Sequence, residues 1–509
     1  MRNRSQARSL LGFGLLFVCA GTVACGSSSS SGTGGAGLGG MGAVGGAGGG
    51  LPTLVTPVHV VAGAVAATAD GSLTAPFPTL YDAAHAIDAR PTWVGDIIVH
   101  EGRYEFPADV NKTNLHANDI VIPASAKLQV VPGVTFALGD KVSFHVQNDV
   151  SLIGTAASPI LFTWLTELKH WGSFTNFEPT SQNNEFQYVT FEHGGESTFK
   201  GASTTGTLAL RGCKAHIAHC EFRTAEGDDG MNSSGAVIVL EYSFFHDNLN
   251  DCYDSNKPST PISEARYNTF MHCGNDGIDV GEGSNLYAHH NMIYGSGDKG
   301  VSIGETSFPV LENNLMVGCN IGIGIKDGSD PVITNNTLVN NNIGISNYEA
   351  VSGLGPGKGT FKNGIIWGSI LADIVNNENM GTTVFSYTCI QSSGYRINLV
   401  ESSPSMPLTG TGILTAAAGC PDPGFVNPTA TPVPAAMFGT TFVPGDYHLK
   451  SASGHYDAAT MTFIADATTS PCIDAGDPAS VFALEALPNG MRIDLGAYGN
   501  TTEASKSSH

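Results

Sequence analysis

A glycine recurs down the middle of this chain at Gly277, Gly300, Gly322 and Gly344, at spacings of 23, 22 and 22 residues. The letters that follow keep step: GIDVGE, GVSIGE, GIGIKD and GISNYE. Apolar residues alternate within them (Ile278 and Val280, Val301 and Ile303, Ile323 and Ile325), the period of a strand with one face buried. Upstream, DCYDSN at 251–256 and DGMNSS at 229–234 fit the same column with one irregular spacing of 25. Two further columns run beside it. Asn268, Asn291, Asn314 and Asn336 each open a short apolar segment, while Asp228, Asn250, Asn275, Asp298, Asn320 and Asn342 stand just before the strand. Self-similarity at this period belongs to a solenoid, in which each repeat buries its apolar face only against its neighbours.

Short strands, Gly/Asn turns and no helical period between them make each repeat one coil of strands. Parallel strands of neighbouring coils stack about 4.8 Å apart, so a column of asparagines becomes a ladder of amides. The expected fold is all-β, a single-stranded right-handed parallel β-helix, and the arrangement resembles the pectate lyase-like superfamily. Residues 70–106 resemble the opening of many extracellular proteins of that kind. A short helix (about Thr79 to Ala89) covers the first coil there as an N-terminal helical cap, because an open end exposes unpaired backbone. DYHLKSASGHY, SPCIDAGDP and PNGMRIDLGAYGN, within 446–499, resemble a closing cassette, whose Asp474, Asp477 and Asp494 read as turn and cap residues. Between about 350 and 445 the register blurs into loops and final coils. One domain over 56–500, with a tail at 501–509, is the economical count.

Acidic residues outnumber Lys and Arg by 45 to 23, a net charge of −22, which excludes a nucleic-acid binder. Binding an acidic polymer would need a local basic patch or a bridging divalent cation. Arg2, Arg4 and Arg8 precede an apolar run from Leu10 to Ala20, the pattern of a signal peptide over 1–25. TVAC at 22–25 resembles a lipoprotein signal-peptidase box, which would make Cys25 the lipid-modified residue; ordinary secretory cleavage is the alternative. The apolar run is too short to span a bilayer, so membrane contact is expected only through that anchor. Residues 26–55 are Gly/Ser-rich and read as a flexible tether. Together these features point to a monomer in the cell envelope, as an outer-membrane lipoprotein or on the cell surface. The cysteines beyond the leader are irregularly spaced; buried thiols and disulfides are both open, with Cys420 and Cys472 the expected pair.

Stacking turns columns into surfaces. Asp254 over Asp279 would set two carboxylates about 5 Å apart, and like charges that close retain a proton, bind a cation or draw in a lysine. NDCYD (250–254), GNDGIDVGEGSN (274–285), GDKGVSIGE (297–305) and GIGIK (322–326) resemble, coil by coil, the catalytic face of polygalacturonase-type glycoside hydrolases, with motifs NTD, GDDC, GHGxSIGS and RxK. The resemblance carries over Asp276 and Lys326. It departs at Asn275, Lys299 and Gly324, where the family has an acid, a histidine and an arginine. β-Elimination suits these departures, with Lys299 as the base on a uronate and Ca²⁺ on Asp251, Asp254 and Asp279 holding its carboxylate.

The expected catalytic set is therefore Lys299, Asp276 and Lys326, with Glu305, Asp327 and His290 contacting a polysaccharide or cell-surface glycan. Two other readings stay open. The face could bind a glycan without catalysis, as an adhesin or scaffold does. Its Asp, Asn and Gly could also serve turns alone, with Glu282 and Glu305 as a solvated acidic edge. Trp164, Trp171 and Phe174 form either a sugar-stacking platform or a self-packed loop. Lys299 and Lys326, on adjacent coils of a basic-poor chain, resist the turn-only reading.

Overall fold

The computed structural model describes residues 54–65, 69–108, 118–376, 383–398, 405–429 and 444–507. The expected leader, Cys25 and nearly all of the tether lie outside these residues. Each coil contributes one short strand to each of three sheets, and each sheet holds 13 strands. The first sheet opens with Val58–Val60, the second with Ile120–Ile122 and the third with Gly102–Phe106. Pairing within them is parallel, apart from the last pair of the second sheet, Gly394–Ile397 with Ser405–Pro407.

The inward side chains stack in files. In the third sheet, Phe136, Phe162, Phe191, Phe222, Phe245 and Phe270 occupy successive rungs. Their ring centroids lie 4.8, 5.0, 5.3, 4.4 and 4.9 Å apart, within the range of attractive ring pairs. The file continues in aliphatic residues, Ile293, Met316, Leu338 and Ile366.

The repeated columns have physical causes. A Cβ on Gly277 would lie 2.6 Å from the Gly300 carbonyl oxygen, and one on Gly300 would lie 2.7 Å from that of Gly322. Backbone of adjacent coils thus excludes any side chain there. The asparagine column is a ladder. Asn268, Asn291 and Asn314 each donate through Nδ2, at 3.0, 3.0 and 2.9 Å, to the Oδ1 of the next asparagine up, ending at Asn336.

The ends differ in part from expectation. A helix spans Leu80–Asp88, with the Thr79 hydroxyl accepting from the Asp82 N–H at its start and Leu80, Ala83, Ala84 and Ile87 buried. Parallel pairing runs on past residue 350, through Gly359–Lys362, Ile365–Trp367 and Ala372–Asn376, where the sequence had blurred. The C-terminal segment lies along the turns, where Asn313 and Asn335 donate to backbone carbonyls of Ala497 and Asp494. Residues 501–507 pack with it rather than trailing, as the Ser505 hydroxyl bonding the Leu449 carbonyl shows.

The expected Cys420–Cys472 bond is replaced by Cys389–Cys420, with the Cys472 sulfur 3.6 Å from that of Cys420. Cys252 and Cys273 form a second bond between adjacent coils, and Cys213, Cys220, Cys319 and Cys472 are buried thiols. Trp171 and Phe174 are buried and Trp164 stacks on His193 at 3.6 Å, so these aromatics pack the protein rather than forming an open platform.

Candidate functional site

Six strands of the second sheet lie side by side: Asp229–Ser234, Asp251–Asn256, Ile278–Gly281, Lys299–Ile303, Ile321–Lys326 and Ile343–Tyr348. Met231, Tyr253, Ile278, Val301, Ile323 and Ile345 form their inward file. One residue further along each strand, alternation turns the chain outward. The outward file reads Asn232, Asp254, Asp279, Ser302, Gly324 and Ser346. At the corner where the strands begin, Asp229 pairs with Asp251, and Asp276 and Lys299 enter at the same corner on the next two coils.

The polar groups here hold one another. Asp251 Oδ1 accepts the Asp276 N–H at 2.7 Å and the Asn275 amide at 2.8 Å. Asp276 Oδ1 accepts the Lys299 N–H at 2.8 Å and lies 3.4 Å from Lys299 Nζ, which also donates to Asp298. Asp254 Oδ2 accepts amides of Asn232 and Asn256 at 2.8 and 2.6 Å. Its other oxygen, Oδ1, is enclosed and has no partner, although the residue as a whole is only half-buried. Two glycines make room for the lysine stems. A Cβ on Gly324 would lie 2.6 Å from Lys299 Cδ, and one on Gly304 would lie 2.6 Å from Lys326 Cε.

Electrostatics separates the groups. Burial, then the neighbouring carboxylates, pushes Asp229, Asp251 and Asp254 well above the usual carboxylate range. Burial raises Asp276 to about 6, with Lys299 opposing. The charge of Asp279, half-exposed between them, contributes to all four shifts. For Lys299, burial alone would lower the ammonium; Asp276, Tyr348 and Asp298 outweigh it and hold the proton firmly. Lys326 behaves alike, with Asp279 the main opposing group. The row therefore combines carboxyls pushed toward the protonated form with two lysines held in the charged form.

The structure gathers Asp251, Asp254, Asp276, Asp279, Lys299 and Lys326 on one face and leaves the other three expected residues elsewhere. Asp327 is buried and its Oδ1 accepts the N–H groups of Ala350 and Val351, a turn-holding role. Glu305 accepts the Glu282 N–H at the same turn one coil earlier. His290 stands at the opposite corner, between the first and third sheets, against Tyr267 in a cleft of about 450 Å³ shared with Tyr498. It lies there because its coil has already turned away from the second sheet.

Sequence reasoning missed Asp229, Asp298 and Tyr348 as members of the row. The regular interval from Asp251 back to Asp229 was the available signal. The carboxylates whose oxygens converge, within 4.8 Å of one another, are Asp251, Asp276 and Asp279. Asp254, expected among the calcium ligands, is instead held by two asparagine amides.

Residues 180–403 match the family described as the right handed beta helix region. The match falls on the coils that carry the carboxyl–lysine row. The β-helix protein is similar in structure to a PL6 family alginate lyase, AlyGC, at 14% identity and a TM-score of 0.39, covering 73% of this chain and 60% of that one. It is similar to the A-module of the mannuronan C-5 epimerase AlgE4 from Azotobacter vinelandii, at 13% identity and a TM-score of 0.36, covering 65% and 94%. A third similar structure is an alginate lyase from Paenibacillus sp. str. FPU-7, at 14% identity and a TM-score of 0.30, covering 61% and 97%. No curated protein matches the chain in sequence.

Proposed function

We propose that the β-helix binds an acidic polysaccharide along the row from Asp229 to Lys326 and breaks its chain by proton transfer from a carboxyl. The observation that carries this reading is Asp254. Burial pushes its carboxyl toward the uncharged form, one oxygen lacks a partner, and Asp279 stands in register on the next coil. An acid beside a base is the pair that chain cleavage needs, whether by hydrolysis or by elimination. Lys299 and Lys326 serve in this reading as cations for a uronate carboxylate, not as bases, because their surroundings retain the proton. They supply local positive charge in a chain whose net charge is −22. A linear row that advances one coil at a time suits an extended polymer better than a small molecule.

Calcium enters this proposal on Asp251, Asp276 and Asp279. Carboxylates are the right donor class, but Ca²⁺ takes about 6–8 oxygens and Lys299 already lies against Asp276. Weak binding is expected, seen as a small thermal shift at millimolar calcium. An exported, Cys25-anchored protein completes the proposal, with the two disulfides in keeping with an oxidising compartment and the helix at Leu80–Asp88 covering the first coil.

The test is incubation of the full chain with polygalacturonate and alginate. Ultraviolet absorbance of an unsaturated end reports elimination, and new reducing ends without it report hydrolysis. Asp254→Asn should cut turnover about 100-fold or more while leaving the unfolding transition in place. Binding of either polymer without any cleavage would favour the adhesin reading instead.

A further inference from the structure

Where the chain passes from the third sheet to the second, a hairpin interrupts the coil. Ser197–Phe199 pairs antiparallel with Ala202–Thr204. The hairpin leans toward the earlier coils, where Phe199 stacks on the buried His145 at 4.0 Å. Between it and the turns at 140–141, 168–171 and 226–227 lies a cleft of about 590 Å³. These turns are successive rungs of one corner, as the backbone bonds Lys141 N–H to His170 and Gly195 N–H to Gly172 show. The same corner continues through Asp228, Asn250, Asn275 and Asp298, each linked through its carbonyl oxygen to the coil above. Gly227, which lines the cleft, stands two residues before Asp229, so the cleft lies at the corner next to the first strand of the carboxyl–lysine row.

Lys141, Lys169 and His170 line this cleft together with the carboxylates Asp140, Glu196 and Glu226, of which Glu226 lies 3.7 Å from His170. Lys169 lies 3.7 Å from the exposed Asp140, a pair too solvated to hold its charge away from a ligand. In the other direction the corner turns apolar after Lys299, at Ile321 and Ile343. The corner is thus polar from the cleft to Lys299 and apolar beyond it.

We infer that the cleft is a binding site for the neighbouring units of an acidic glycan, with Lys141 and Lys169 meeting uronate carboxylates. This rests on the reading of the row as a polysaccharide site, and it adds that the bound chain extends from the row toward the N-terminal coils. The test uses the full chain carrying Asp254→Asn, so that cleavage is slowed about 100-fold or more, and measures calorimetric binding of uronate oligomers of increasing length. Affinity should rise with length until the cleft is filled. Lys141→Ala with Lys169→Ala should weaken the long oligomers by about tenfold or more and leave the shortest ones unchanged. Lys127→Ala, a lysine of the first sheet paired with Asp149, should change neither.

Length dependence that survives the double substitution would overturn the inference, as would the absence of any oligomer binding. Length dependence lost in the double variant, in a wild-type protein that cleaves nothing, would support the cleft while sinking the cleavage proposal. The two readings therefore fail separately.

Discussion

Gly300 and Gly324 stand one coil apart and exclude a side chain for different reasons. Beside Gly300 the obstacle is the Gly322 carbonyl, backbone that can yield only by moving a coil. Beside Gly324 it is the stem of Lys299, which can swing away. Gly300→Ala should therefore cost about 1–3 kcal/mol in urea unfolding, as overpacking does. Gly324→Ala should change stability by less than about 1 kcal/mol yet displace Lys299 and lower turnover about 100-fold. Equal stability losses in the two variants would refute this division. The first glycine was legible because its cause, a neighbour's backbone, repeats in every coil and leaves a column. The second was not, since its cause is a single lysine from the preceding coil. In GIGIK, Gly324 reads as one more strand glycine, and only coordinates show what lies over it.

At the scale of a strand, the outer faces carry ladders that the glycine register could not reveal. In the first sheet His216 bridges Glu185 and Glu241, at 2.6 and 2.9 Å, and Arg266 continues to Glu241 at 2.8 Å. In the third sheet His246 joins Glu221 and Asp247, at 3.0 and 2.8 Å. These residues belong to columns of mixed type, which hide in a sequence where the all-asparagine column does not. Their titration has a definite sign. His216 and His246 lose ground to burial but are raised above 6.5 overall by their carboxylates, so their contribution is complete below 6.5 and fades as pH rises through the raised value. For Glu221, the His246 hydrogen bond leads in holding the carboxyl below 4.5; its contribution is present above 4.5 and fades as pH falls through the lowered value. Asp276, raised by burial to about 6, adds stability that is complete below 3.8 and lost through about 6. The Glu221 and histidine trends place maximum stability between roughly pH 4.5 and 6.5, and the Asp276 trend draws it toward the acid end of that window. Thermal midpoints from pH 4 to 9 should show that maximum, and His246→Gln should flatten its alkaline side. A midpoint that climbs steadily to pH 8 would contradict the assignment.

Taken whole, the molecule is a stack whose register is enforced by contacts between neighbouring coils, and the candidate site exists only because that register holds over six strands. Cys252–Cys273 acts at this scale. Cys252 directly follows Asp251, Cys273 lies three residues before Asp276, and the 21-residue separation is close to one coil. Among cysteines that read as irregularly spaced this pair was not singled out, and the pair that was, Cys420 with Cys472, lies beyond the regular repeat, where the register gives no guide to partners. Closing a loop of this size restricts the unfolded chain by about 3 kcal/mol, so Cys252→Ser with Cys273→Ser should lose about that much in urea unfolding. Wild-type protein unfolded with a reductant present should fall at least as far, because Cys389–Cys420 is then reduced as well. Turnover by the folded double variant should nevertheless persist. The Asp254–Asp279 pairing is carried by the parallel ladder and by the amides of Asn232 and Asn256, none of which needs the sulfur bond. A variant that remains folded but loses turnover would mean that the covalent link, and not the stacking of coils, aligns the row.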